Sequence, residues 1–222
     1  EMLDKAFAVM ALTPQHTYYV LTKRADRLLA YIVGLTQSDD WTSPDRLFEP
    51  YRALSGRWPT FDDQWPLFNV RVGVSVGNRR MVALRFPSIC ELGEAGWNTM
   101  VSMEPILEDV DIPEPYLRLG RRAWIIAGGE SDQPRRLARP CCLSWLRNIV
   151  HDCDQAGVAC FVKQLGSRPY ETTIDAPVDG PNPFPVVRWL ALKHPKGGDP
   201  AEWPTDLRVR QSSGSLLGMD DA

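Results

Sequence analysis

The chain has 222 residues, of which 44% are hydrophobic and 24% charged, with a formal net charge of −3. This is the composition of a soluble globular protein of one large domain, and the charge argues against a protein that grips nucleic acid through bulk charge. No stretch approaches the ~20 apolar residues of a membrane span, and no charged n-region leads into an apolar h-region, so no membrane partner is expected. A nucleotide or single-stranded substrate held in a pocket stays open.

The chain begins at Glu1 inside a helical pattern: Leu3, Ala6, Phe7, Met10 and Ala11 share one face. A start within an amphipathic helix leads us to expect a fragment with its upstream part missing, with processing as the plainer alternative. A strand is expected over Thr17–Leu21 and a helix over Arg24–Gly34, with Leu28, Leu29 and Ile32 inward. Residues 36–66 form a polar insertion with four prolines and three tryptophans. Trp41, Trp58 and Trp65 would pack it as a lid or small subdomain.

Strands follow over Asn69–Val76, Asn98–Met103, Ala123–Ala127 and Val158–Val162, with a weak helix over Arg79–Leu92 and a strong one over Leu143–Ala156 ending at Gly157. The continuous apolar run at Ala123–Ala127 fits a strand buried on both faces. Alternation of strand and helix predicts an α/β fold with parallel strands and right-handed crossovers. Those strands could form an open doubly wound sheet or part of a closed barrel. Residues 1–165 are expected to make the partial parallel (β/α) barrel. Residues 166–222 are expected to make a Pro/Gly-rich extension, with a short apolar stretch over Val186–Leu192 and a frayed tail from Ser212.

Five cysteines (Cys90, Cys141, Cys142, Cys153 and Cys160) and three histidines (His16, His151 and His194) show no metal-ligand spacing. An odd count with no secretory signal fits free thiols in a reducing, cytoplasmic setting. Cys153 shares a helical face with Leu143, Leu146 and Val150, the place of a core residue.

Each strand delivers polar groups at its carboxyl end, the rim where parallel α/β folds bind ligands. These are Lys23 and Arg24, then Ser75, then Glu104, then Gly128, Gly129, Glu130 and Ser131, and finally Lys163 and Gln164. In I-I-A-G-G-E-S the two glycines would let backbone approach a ligand and leave N–H groups free to bind it; a tight turn explains them nearly as well. The Glu130 carboxylate could accept from an amine or a ribose hydroxyl. Glu104 and Lys163, if they face one another, would form a catalytic pair or a plain ion pair, each holding the other charged. Arg135, after this loop, could reach a phosphate.

Five ordered segments, A-L-T-P-Q-H-T-Y-Y-V-L-T-K-R, N-V-R-V-G-V-S-V, V-S-M-E-P-I-L, W-I-I-A-G-G-E-S and A-C-F-V-K-Q-L-G, together with the tail K-G-G-D-P-A-E-W-P-T-D-L-R-V-R, resemble a phage- and prophage-associated family of unknown function. That family has a radical-SAM-like barrel. The likeness runs from about Met2 to Arg210 and implies a parent iron–sulfur enzyme. It implies an upstream three-cysteine motif, absent from this chain, for a [4Fe–4S] cluster that binds S-adenosylmethionine. By this resemblance Ser75, Glu104, Gly128, Gly129, Glu130 and Ser131 line the cofactor side of the rim. Lys23, Arg24, Gln164 and Arg135 position substrate, and Glu104 and Lys163 are catalytic. This chain alone is then expected to be inactive in radical chemistry. The family's loop between Val76 and Asn98 is expected to be longer than here, which puts the helix in it in question.

Two rival functions remain. One is a cluster-free, metal-dependent nucleic-acid-processing enzyme using Glu104, Glu130 and Lys163. The other is a non-catalytic, barrel-derived module that binds a partner protein.

Overall fold

The computed structural model describes residues 1–35, 44–61, 65–175 and 184–212. Much of the expected insertion (36–43 and 62–64, with Trp41) and the tail from 213 lie outside the described residues.

Helix α1 spans Met2–Leu12, β1 Tyr18–Thr22, α2 Ala25–Val33, α3 Phe48–Ser55, β2 Val70–Ser75, α4 Arg79–Glu94 and β3 Asn98–Met103. A short α5 (Glu114–Leu117) precedes β4 (Ala123–Gly128), β5 (Cys141–Cys142), α6 (Leu143–Ala156), β6 (Ala159–Gln164), β7 (Pro169–Asp175) and β8 (Phe184–Trp189). Helix α1 buries Asp4, Phe7, Ala8 and Ala11 and leaves Leu3 exposed, so its inner face is rotated from the expected one. The cause is ionic: Asp4 turns inward to meet Arg46 at 2.9 Å and the Tyr31 hydroxyl at 3.0 Å. Helix α4 is present and longer than expected. The Asn78 side chain caps it by accepting from the Met81 N–H at 2.9 Å, which satisfies one of the amides a helix start leaves unpaired.

The five main strands are parallel in the order β1-β2-β3-β4-β6. Chain order and spatial order agree, whereas a doubly wound sheet reverses its order at a switch point. With right-handed crossovers, an unreversed order carries every helix to the same face. Burial agrees: Val20, Val72 and Thr99, then Val74, Val101, Ile125 and Cys160 face the helices, and all but Val20 are buried. The opposite face carries the rows Leu21–Gly73–Met100–Trp124 and Ser75–Ser102–Ile126–Phe161. Tyr19 and Leu21 there are 50% and 49% exposed. Met100 lies flat on Gly73, whose hypothetical Cβ would sit 2.3 Å from the Met100 Cγ.

β1 and β6 are the outer strands. The outer side of β6 is covered by the chain's own later residues: Val162 N–H donates to Val209 O at 2.8 Å, and Gln211 N–H to Cys160 O at 3.0 Å. The expected Pro/Gly-rich extension contributes β7 and β8, which are antiparallel, to a second sheet ordered β5-β7-β8, whose remaining strand β5 comes from just before α6. The described part of the insertion packs by aromatic contacts, Phe48 on Phe61 at 5.9 Å and Trp65 against Trp97 at 5.0 Å. Trp58 stays half-exposed under the Arg52 guanidinium.

Candidate functional site

The carboxyl ends of β1, β2 and β3 frame a cleft of about 210 Å³ lined by Lys23, Ser75, Gly77, Arg85, Glu104 and Arg139, among others. Glu104 is its floor. Leaving β3 it enters a cis bond to Pro105, and its side chain is only 16% exposed. Lys163 Nζ lies 3.4 Å from Glu104 Oε1, and the Ser102 hydroxyl donates to Oε2 at 3.5 Å. The expected facing of Glu104 and Lys163 is therefore what the sheet produces. Lys163 and Gln164 lie inside β6 rather than beyond it, and Lys163 reaches Glu104 from the open face. Its contact is longer than the ~2.7–2.9 Å of a tight charge-assisted bond, and its side chain is 55% exposed. Burial pushes the Glu104 carboxyl above its ordinary value, against the opposing pull of Lys163 and Ser102.

Glu130 is in the opposite condition. Arg139 donates to it from its backbone N–H, Nε and Nη2, each at 2.8 Å, and Arg136 adds a further ion pair. Those bonds, with Arg139's side chain contributing most, hold the Glu130 carboxyl down at about 2. Both its oxygens are committed to arginines, so the expected acceptor for an amine or ribose is already engaged.

The two glycines are engaged as well. Gly129 N–H donates to Gln164 O at 3.0 Å, Gly128 O accepts from Ile106 N–H at 2.9 Å, and Gly129 O accepts from Gln164 Nε2 at 2.9 Å. The expectation of an N–H left free for a ligand is thus corrected at Gly129. What demands glycine there is packing: a Cβ on Gly129 would meet Leu165 O at 2.2 Å. Gln164 Nε2 also donates to Ser131 Oγ at 2.8 Å, so Gln164 and Ser131 lock the end of β4 to β6.

The structure brings Lys23, Ser75, Glu104, Lys163 and Gly128 together; a Cβ on Gly128 would lie 3.0 Å from Glu104 Oε1. Arg24 and Arg135 are exposed and do not line the cleft. Sequence reasoning missed Arg85, whose Nη1 donates to Ser75 O, and Arg139. Arg139 stands nine residues past Glu130 across an irregular loop, a spacing with no periodic signature.

A larger cavity of about 330 Å³ between α6 and the C-terminal segment is lined by Arg147, His151, Asp154, Cys160, Asp206 and Gln211, among others. Arg147 there is matched by Glu171 at 2.7 Å and Asp206 at 2.5 Å, and the cavity lies away from the strand ends. Among the described residues no three His, Cys, Asp or Glu side chains gather as a metal site. All five cysteines are buried, and burial pushes the Cys90 thiol to about 11 and Cys141 to about 12. Clusters are held by thiolates, so these cysteines do not fit a [4Fe–4S] cluster. Among the described residues no helix is long and apolar enough to cross a membrane.

No curated protein and no solved structure matches the chain. A family model described as "Protein of unknown function (DUF5131)" matches residues 1–198. The chain belongs to that family.

Proposed function

We propose that this chain has the fold and rim of a radical-SAM-like enzyme of phage or prophage type, and that its rim receives the amino-acid end of S-adenosylmethionine. The observation that supports the reading is Glu104. A carboxylate only 16% exposed on the cleft floor has, among the described residues, one loosely held cation within ion-pair distance, Lys163, whose 55% exposed side chain can swing away. The cofactor's amino-acid end is a zwitterion. Its ammonium would replace the Lys163 Nζ on Glu104, and its carboxylate would meet the released Lys163 and the cleft-lining Lys23. Ser75, at the end of β2, offers a hydroxyl beside them.

When bound, S-adenosylmethionine supplies a sulfonium-activated carbon. The part played by this chain's residues is orientation: the low exposure of Glu104 strengthens its hold on an ammonium by excluding water. Glu130, with its two arginines, braces the rim and does not contact the cofactor. No step is assigned to an iron–sulfur cluster, because the cysteines present do not suit one.

The test is calorimetric titration of S-adenosylmethionine into the 222-residue chain and its Glu104→Gln variant. Saturable binding abolished by Glu104→Gln and kept by Cys90→Ser is expected. Absence of binding in the unaltered chain, or equal binding by Glu104→Gln, would overturn the proposal.

A further inference from the structure

The loop between β4 and β5 and the small sheet beside it have a chemistry of their own. Residues 131–140 run over the rim with Arg135, Arg136 and Arg139 exposed. Arg136 and Arg139 share the single carboxylate of Glu130, so this pair carries excess positive charge. Among the described residues Arg135 has no hydrogen bond or ion pair.

The loop abuts β7. Arg168 Nη1 donates to Ala138 O at 3.5 Å, and the Arg168 guanidinium lies 5.2 Å over the Trp189 ring. Tyr170 packs on the same tryptophan with ring centroids 5.4 Å apart. Trp189 is 51% exposed despite these contacts. Contacts thus run from the exposed Trp189 through Arg168 to Ala138 of the arginine loop, whose Arg139 lines the Glu104 cleft.

This is the combination that single-stranded nucleic acid calls for. Aromatic faces stack bases of any sequence, arginines pair with phosphates, and guanidinium planes add cation–π attraction. The whole chain is acidic at −3, so the positive charge here is local and set beside a stacking platform. A duplex, with its bases already stacked, could not use the half-exposed Trp189 ring as a platform.

We propose that the 131–140 loop and the β7–β8 ribbon form a landing surface for single-stranded nucleic acid, with bases stacked on Trp189 and backbone phosphates on Arg135, Arg136 and Arg168. It delivers a nucleotide toward the Glu104 cleft. The inference deepens the enzyme reading by naming its substrate class, and it rests on that reading only for the use of the cleft.

The test is fluorescence anisotropy with a labelled oligothymidylate of about fifteen nucleotides, within the ~4–16 nucleotides such sites span, and a duplex of the same length. Binding of the single strand, but not the duplex, is expected. Trp189→Ala should weaken it about tenfold, within the range of one base–aromatic stack, and Trp189→Phe should restore most of the loss. Arg135→Ala should reduce the salt slope by about 0.7, one phosphate contact to a single strand. Equal affinity for the duplex, or no change in Trp189→Ala, overturns the proposal. The two readings fail separately: Trp189→Ala is expected to leave S-adenosylmethionine binding intact, and Glu104→Gln to leave oligonucleotide binding intact.

Discussion

Replacing Gly129 by alanine tests how β4 and β6 are joined beneath the site. The added Cβ would stand 2.2 Å from Leu165 O, 2.7 Å from Leu165 C and 3.0 Å from Cys141 Cβ. Two of those atoms are backbone, so no side-chain rotation relieves the clash and the end of β6 must move. Overpacking of this kind costs ~1–3 kcal/mol, occasionally more. The shift also strains the Gly129 N–H bond to Gln164 O and the Gln164 Nε2 bond to Gly129 O, worth about 1 kcal/mol each. Gly129→Ala should therefore lose about 4 kcal/mol, lowering the melting temperature by about 8–16 °C in a chain of this size. Gly157→Ala is the contrast: φ is 63° and nothing lies within 4 Å, so only the left-handed conformation is penalised, by about 1–2 kcal/mol. Urea unfolding followed by tryptophan fluorescence and far-UV circular dichroism measures both. Equal losses in the two variants would refute the clash argument.

Three further outcomes are expected from the charges. Glu130→Gln should cost about 2 kcal/mol, since the exposed arginines can rehydrate. It should also remove an acid-sensitive component: the folded carboxyl sits at about 2 against an ordinary 4.5, so its stabilisation is present above 4.5 and lost as pH falls toward 2. Acid unfolding of variant and parent checks this. Lys163→Met removes a group that pulls the Glu104 carboxyl down, so Glu104 should titrate still higher, read by carbon-detected NMR. Because the native state then holds the proton more tightly than the unfolded chain, the stability lost as pH rises past 4.5 should be larger in the variant. Arg71 is 4% exposed and donates to Thr99 O at 2.7 Å and Arg122 O at 2.8 Å. Arg71→Met takes this donor from Thr99 O and leaves Arg122 O with the Thr99 hydroxyl at 3.3 Å; it should destabilise by roughly 1–3 kcal/mol, measured by the same urea titration.

The strands were legible because burial on one or both faces leaves a local signature: V-S-M, A-W-I-I-A and A-C-F-V are apolar for reasons each segment carries alone. The rim was legible for the same reason, since the residues next after a strand lie at its carboxyl end. Pairings across the chain were not. Arg139 meets Glu130 through the path of a loop, and Arg85 meets Ser75 from a neighbouring helix. The second sheet escaped notice because β5 is two residues long and takes its conformation from β7, not from its own propensity. Asp4 shows the converse: a helical pattern placed its face wrongly because an inward carboxylate, paired with Arg46 and Tyr31, outweighed a leucine's preference for the interior.

The asymmetry of the main sheet's two edges sets a gradient of local opening. Amides of β6 are held by β4 on one side and by Val209 and Gln211 on the other, and Cys160 N–H donates to the Gln211 side-chain carbonyl at 2.8 Å. β1 is hydrogen-bonded to β2 and has no second strand among the described residues. In hydrogen exchange, opening free energy should fall from β6 toward β1. The main sheet is then firmest where Lys163 is mounted and loosest toward the strand that leads to Lys23, so the lysine that meets Glu104 sits on a fixed post and the cleft-lining Lys23 on a hinged one.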